Sequence, residues 1–343
     1  MSKQAMVCLI SKEAMANALP VLEYRPDLVF LAATNEQTRN AGYLKEFFAK
    51  KGIQSEIIPG MDAYHPEPNK NVMNTLFDNN PDYTFTLNST GGTKIMSLAA
   101  YEVFSSSGKK VVYCNTPGRE IITLPEGKID KTLTVELSAE DYLTAYGYTI
   151  DQRDLKEPSE EYKPLFRHLL NDGGLKEFIT LSNKVKTMKK LLDKGLVITS
   201  NGKQYSFAKK GKDYILEWKK GQSLHFASER FCEGTWLEEL AYYFMKVNKR
   251  ECLASMHIYS PDQSRNEIDM LYVKNLTLHL VSAKSGPLNK KDLFELHGLQ
   301  VLAGGIMARP AILHAAKIKQ ADAQRAKEMR IDAISVFELN RLL

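Results

Sequence analysis

Glu267, Asp269, Ser282 and Lys284 stand near the two ends of one stretch, NEIDMLYVKNLTLHLVSAKSG, which runs from Asn266 to Gly286. A carboxylate and a lysine brought together are what metal-dependent phosphodiester hydrolysis requires. The carboxylate oxygens hold a hard divalent cation such as Mg²⁺ or Mn²⁺, and the ammonium positions the attacking water or offsets charge on the phosphorane. The stretch has the form of a β-hairpin. With period-two alternation Glu267, Asp269, Leu271 and Val273 share one face of the first arm, and Leu276, Leu278, Leu280, Ser282 and Lys284 one face of the second. Taking Lys274 and Asn275 as a two-residue turn pairs Val273 with Leu276. That register places Asp269 opposite Leu280 and diagonal to Ser282, and Glu267 opposite Ser282. An apolar face thus ends in Asp, Glu, Ser and Lys. The same residues would also suit an edge hairpin whose end is merely wetted by charge.

A further carboxylate is expected from the helix that begins around Phe231–Leu240. Leu237, Leu240, Ala241 and Phe244 fall at helical spacing and form its core stripe. Glu238 sits at the edge of that stripe, where it can reach past the core toward the hairpin, whereas Glu239 points further away. After the hairpin, Lys291–Leu302 is expected to be helical. The loop Ala303-Gly304-Gly305, a strand-like run near Pro310–Leu313 and a basic helix over Ala315–Met329 follow. His257, His279 and His297 lack ligand spacing and are read as structural or surface residues.

From Ala5 to about Leu124, strand-length apolar runs alternate with helical patterns. The strands are Met6–Ile10, Leu28–Ala32, Gln54–Ile58, Tyr83–Leu87 and Lys110–Cys114, and the helices Gln37–Lys50 and Ile95–Phe104. This βαβ order predicts an α/β domain with a mostly parallel sheet, whose ligands bind at the carboxyl ends of the strands. The loops there are Ser11-Lys12, Ala33-Thr34-Asn35, Asn88–Lys94 and Asn115–Gly118. In Asn88-Ser89-Thr90-Gly91-Gly92-Thr93-Lys94, glycines permit close backbone approach and a helix N-terminus attracts anionic oxygens. Neither GxxxxGK[ST] nor GxGxxG is present, so a tight turn and a phosphate cradle both remain open.

Between these parts, the charged segment from Asp151 to about Glu161 reads as a linker. Lys176–Leu192 reads as a helix, and Leu196–Ile198 with Tyr205–Phe207 as a hairpin about Ser200-Asn201-Gly202. Helices followed by a basic hairpin resemble a winged helix, and a structural connector is the competing role.

The composition fits this division. The 343 residues, 43% hydrophobic and 25% charged, suffice for two or three soluble domains with a large core. The formal charge of +5 is uneven: residues 1–150 carry 14 Lys+Arg against 17 Asp+Glu, and residues 151–343 carry 32 against 24. A basic C-terminal part suits a nucleic-acid partner or a solvated lysine-rich surface. No secretory h-region or membrane-length apolar run is present, and Cys8, Cys114, Cys232 and Cys252 form no CxxC pair. A cytoplasmic protein with reduced core thiols and no membrane partner is expected.

Gly234-Thr235-Trp236-Leu237-Glu238, then Asn266-Glu267-Ile268-Asp269, then Ser282-Ala283-Lys284 resembles the PD-(D/E)xK nuclease core. The N-terminal part, with LNSTGGTK at Leu87–Lys94, resembles a CARF domain, a Rossmann-like sensor of cyclic oligoadenylate. Together they resemble the CRISPR ancillary nucleases that join the two. The resemblance implies a CARF sensor over 1–148, a helical, winged-helix-like connector over 149–225 and a restriction-endonuclease-like domain over 226–343. It further implies a homodimer that binds cyclic tetra-adenylate and then cleaves single-stranded RNA and DNA with a divalent metal, with nicking of duplex DNA in some relatives. Asp269 and Glu238 would be metal ligands or their supports and Lys284 the catalytic lysine. Ser11, Lys12, Thr34, Asn35, Thr90, Gly91, Gly92, Thr93, Lys94 and Asn115 would hold the activator. A two-fold symmetric ring presents equivalent phosphates to the same loops of two subunits. Ser282 departs from the family, which usually has Glu or Asp there. Glu267, Glu295 or the Ser282 carbonyl could make good the lost ligand. A decayed nuclease serving as a ligand-gated DNA-binding regulator is the alternative.

Overall fold

In the computed structural model, residues 2–151, 159–200, 202–219, 221–226, 229–305 and 308–343 are described. Most of the expected linker and Asn201 of the expected turn lie outside them. The N-terminal part runs β1 (Lys3–Leu9), α1 (Met15–Tyr24), β2 (Leu28–Ala32), α2 (Thr38–Lys50), β3 (Ser55–Ile58), α3 (Pro66–Asn79), β4 (Tyr83–Asn88), α4 (Lys94–Ser106) and β5 (Lys110–Asn115). The segments β6 (Glu120–Leu124), β7 (Ile129–Thr132), α5 (Ala139–Ala145) and β8 (Thr149–Ile150) follow.

The first seven strands form one sheet in the order β3-β2-β1-β4-β5-β6-β7, with β1 to β5 parallel and β6 and β7 antiparallel. Val7 and Leu9 of β1 point into a core with α3 and α4, while Met6 and Cys8 point into a second core with α1, α2 and α5. Burial on both faces is why these strands read as continuous apolar runs. The strand order reverses between β1 and β4, so their carboxyl ends open a crevice there.

The middle part holds α6 (Lys163–Asn171), α7 (Leu175–Thr187), β9 (Leu196–Ser200), β10 (Lys203–Lys210), β11 (Asp213–Lys219) and β12 (Gln222–Phe226). The anticipated hairpin is thus half of a four-stranded antiparallel meander, β12-β11-β10-β9. Phe178 on α7 packs edge-on against Trp236, which draws this sheet and its helices into one core with the chain that follows.

The C-terminal part contains α8 (Trp236–Val247), β13 (Leu253–Tyr259), β14 (Arg265–Lys274), β15 (Thr277–Lys284), α9 (Lys290–Ala303), β16 (Ala308–His314), α10 (Gln320–Glu328) and β17 (Asp332–Ser335). Its six-stranded sheet has the order β17-β16-β15-β14-β13-β8. Strand β8 therefore joins the C-terminal sheet. The last helix begins five residues later than expected, leaving Lys317 and Lys319 ahead of it.

The hairpin of β14 and β15 bridges two cores. Met270, Tyr272 and Val281 face the core shared with α7 and α8, whereas Leu271, Leu278 and Leu280 face the core shared with α1, α2 and α5. The four cysteines are buried free thiols. Among the described residues, no helix is long and apolar enough to cross a membrane.

Candidate active site and sensor cleft

The hairpin turn is Asn275-Leu276, with φ of 51° and 60°, and not Lys274-Asn275. Both residues adopt the left-handed conformation of a tight hairpin turn, which asparagine accepts readily and leucine does not. Tertiary burial decides the matter: Leu276 is 4% exposed, and its carbonyl accepts a 2.5 Å hydrogen bond from Tyr142 of α5. Val273 consequently pairs with Leu278 and Met270 with Val281. The expected register is corrected by two residues, so every side chain keeps its face while every partner changes.

Continued one step, the observed register sets Asp269 across from Ser282. The Ser282 hydroxyl donates to Asp269 Oδ2 at 3.1 Å, and the Ala283 amide to the same oxygen at 2.6 Å. The ladder between β14 and β15 ends at Met270 and Val281, short of Glu267, and it is Asp269 that meets Ser282, so the expected placement of Glu267 opposite Ser282 does not hold. Glu267 is exposed, but it lines the same cleft of about 480 Å³ as Asp269, Ser282, Lys284, Asp292 and Glu295. Lys284 Nζ lies 3.6 Å from Asp292 Oδ1 at the start of α9, whereas Glu295 pairs outward with Lys291 at 3.4 Å.

Glu238 reaches this centre from α8, whose Trp236, Leu237, Leu240 and Ala241 are buried and hold the helix against the sheet. Ser255 of β13 donates to its Oε2 at 3.4 Å. Burial, followed by the charges of Asp269 and Glu267, pushes the Glu238 carboxyl up to about 8, while Ser255 and Lys284 oppose the rise. Burial also raises Asp269, against the pull of the Ala283 amide and Lys284. A carboxyl raised to about 8 carries a proton near neutral pH, and a cation bound beside it would displace that proton and lower it again. Among the described residues, no group of three or more His, Cys, Asp or Glu side chains is arranged to hold a metal ion. Lys186, which was not foreseen, donates from α7 to Ser285 Oγ at 2.6 Å, just beyond Lys284.

The second site is a cleft of about 1110 Å³ at the carboxyl ends of β1, β2, β4 and β5. Of the residues expected to hold an activator, Ser11, Lys12, Thr34, Asn35, Thr90, Gly92, Thr93 and Asn115 line it, whereas Gly91 and Lys94 do not. Gly91 is buried because the loop crosses β1 closely: a Cβ there would lie 2.2 Å from the Leu9 carbonyl oxygen. Lys94 is exposed at the first position of α4. Thr90 and Thr93 line the wall but spend their hydroxyls internally. Thr90 donates to Asn88 Oδ1 at 2.6 Å and accepts from the Cys114 amide at 2.8 Å. Thr93 donates to the Ala63 carbonyl at 2.8 Å and caps α4 by accepting from the Met96 amide. These residues set the shape of the wall. The cleft also holds Arg309 of β16, which nothing in the local sequence marks as a sensor residue.

The Card1 CARF domain family matches residues 5–142, and the Card1-like endonuclease domain family matches residues 226–343. The structure of Can2 from Sulfobacillus thermosulfidooxidans in complex with cyclic tetra-adenylate is similar, with a TM-score of 0.75 and 19% identity over 99% of this chain and 97% of that one. Protein VC1899 from Vibrio cholerae matches with a TM-score of 0.76 and 20% identity, over 99% and 96% of the two chains. A type III CRISPR defence DNA nuclease activated by cyclic oligoadenylate matches with a TM-score of 0.59 and 17% identity, over 93% of this chain and 46% of that one. At these identities the likeness concerns the fold. No curated protein matches the chain by sequence.

Proposed function

The chain belongs to the proteins that join a Card1 CARF domain to a Card1-like endonuclease domain, and from that premise we propose a homodimeric, metal-dependent endonuclease switched on by cyclic tetra-adenylate. Its substrates are single-stranded RNA and DNA, and its setting is cytoplasmic type III CRISPR antiviral defence. The observation that carries the chemistry is Asp269, half-buried and oriented by Ser282 and Ala283, beside Glu238 and on the face that carries Lys284. Glu267, Asp269, Ser282, Asp292 and Glu295 line the cleft, oxygen donors that suit Mg²⁺ or Mn²⁺. Mg²⁺ in particular is commonly held by one or two carboxylates, with water and substrate phosphate completing its shell. Asp269 and Glu238 would hold the cation, with the Ser282 carbonyl in support. When bound, it would polarise the scissile phosphate and lower the pKa of water. The Ser282 hydroxyl and the Ala283 amide keep Asp269 aimed, and Lys284 sets positive charge beside the reacting phosphate.

Two-fold use of the sensor cleft is supported by apolar surface around it. Tyr64 is 80% exposed on its rim, and Leu98 of α4, the helix that opens at the cleft, is 65% exposed. A second copy seated there would cover both residues and bring a second set of loops to the ring. Labelled single-stranded RNA, single-stranded DNA and plasmid are incubated with the protein, with and without cyclic tetra-adenylate, in Mg²⁺, Mn²⁺ or chelator. Cleavage confined to reactions holding both activator and metal is expected. Activator-dependent DNA binding without cutting would replace the nuclease with a regulator.

A further inference from the structure

Arg309 belongs to the endonuclease sheet, yet it lines the sensor cleft with Ser11, Lys12 and Asn35. Its side chain is exposed and has no hydrogen bond or ion pair among the described residues, and the same holds for Lys12. The carboxylates bordering the cleft are engaged elsewhere. Asp62 Oδ1 accepts from the amides of Tyr64 and His65 at 2.8 and 2.9 Å. Glu36 is held by its own backbone amide and by Thr34. Glu13 Oε2 accepts from the Tyr146 hydroxyl at 3.3 Å. Lys12 and Arg309, exposed and unpaired, offer a phosphate in the cleft two charge-assisted donors.

We infer that Arg309 is the endonuclease domain's direct contact with a phosphate of the activator, so that both domains of one chain complete the sensor cleft. This rests on the cleft being the oligoadenylate site. It also supplies a physical route from activator to active site. Arg309 is the second residue of β16, which pairs in parallel with β15: His279 lies beside Arg309, Ser282 beside Ile312 and Lys284 beside His314. Three residues of extended chain, about 10 Å, separate Arg309 from the residue paired with Ser282. A phosphate held by Arg309 bears directly on the strand hydrogen-bonded to the one that carries Ser282 and Lys284.

The test is calorimetric titration of the full-length wild type, Arg309→Ala and Arg309→Lys with cyclic tetra-adenylate, with circular dichroism as the check on folding. Loss of a charge-assisted phosphate contact is expected to weaken binding roughly tenfold or more, with partial recovery in Arg309→Lys. Arg309→Ala binding within twofold of wild type overturns the inference, whatever happens to cleavage, and leaves the activator reading standing. A wild type that does not bind the ring at all overturns both.

Discussion

Asp269 offers the most discriminating perturbation, because two substitutions at one position separate its chemistry from its structural work. Its Oδ2 accepts from Ser282 Oγ and from the Ala283 amide. Asp269→Asn keeps an oxygen for those donors but turns charge-assisted bonds into neutral ones, at a cost of roughly 1 kcal/mol each. Relief of the repulsion with Glu238 offsets part of that cost. The net change is expected to stay within about 2 kcal/mol, a shift of a few degrees in Tm. Asp269→Ala leaves both donors unpaired and is expected to cost about 2–6 kcal/mol, at ~1–3 kcal/mol for each orphaned group. For cleavage the order reverses. Either substitution removes a cation ligand worth several kcal/mol of transition-state stabilisation, and each is expected to slow cleavage on the order of a thousandfold. Melting curves and single-turnover cleavage of labelled RNA, with activator and Mn²⁺, give both quantities. If Asp269→Asn cleaves within tenfold of wild type, Asp269 is not a cation ligand and the hairpin is not the active site.

Lys284→Ala is expected to lower cleavage at least a hundredfold with unchanged affinity for cyclic tetra-adenylate, measured by gel assay and calorimetry; weakened binding would move Lys284 out of the catalytic role. Tyr142→Phe leaves the Leu276 carbonyl without its 2.5 Å partner and is expected to cost about 1–3 kcal/mol, read as a lower Tm together with weaker activation by the ring. His279 tests acid stability. Burial first, then the charges of Lys274 and Arg309 against that of Asp332, lowers it from 6.5 to about 4. Because its folded value is depressed, the neutral form favours the fold above 6.5, and that contribution is lost as pH falls from 6.5 through 4. The gap in Tm between wild type and His279→Gln is expected to change across that window and to stay flat above pH 7.

The sensor sheet was legible because its strands are buried on both faces and keep strong apolar runs: β2 is observed at the expected residues, and β1, β4 and β5 lie within a few residues of expectation. Helix α1 was not foreseen. It carries Pro20 in its interior and lacks a side-chain cap, so its start is unmarked and its middle reads as a break. Helix α3 opens Pro-Glu-Pro and buries only Asn69, Met73 and Leu76, too sparse a stripe to show periodicity. Glycine has two uses that look alike in sequence: Gly92, with φ of 75°, lies on the cleft, whereas Gly91 serves the contact with β1. Arg309 was invisible for another reason. It reaches the sensor only through the packing of two domains, a juxtaposition that no local pattern records.

The register of the hairpin decides how Ser282 is understood. Parity along each strand follows from alternation alone, so Glu267, Asp269, Ser282 and Lys284 are expected on one face whatever their partners. Partnering depends on the turn, and the turn is set by Leu276, buried against α5 with its carbonyl on Tyr142. Had Lys274 and Asn275 formed the turn, Leu276 would belong to a strand, and Ser282 would face Glu267 as a gap in want of a replacement carboxylate. In the observed pairing Ser282 faces Asp269 and donates to it. A glutamate at 282 would add a further carboxyl beside Asp269 and Glu238, whereas serine supplies a donor that orients Asp269 and opposes its rise. On the proposed reading, Ser282 would act on a cation through Asp269 as well as through its own carbonyl, while Glu267 borders the same cleft.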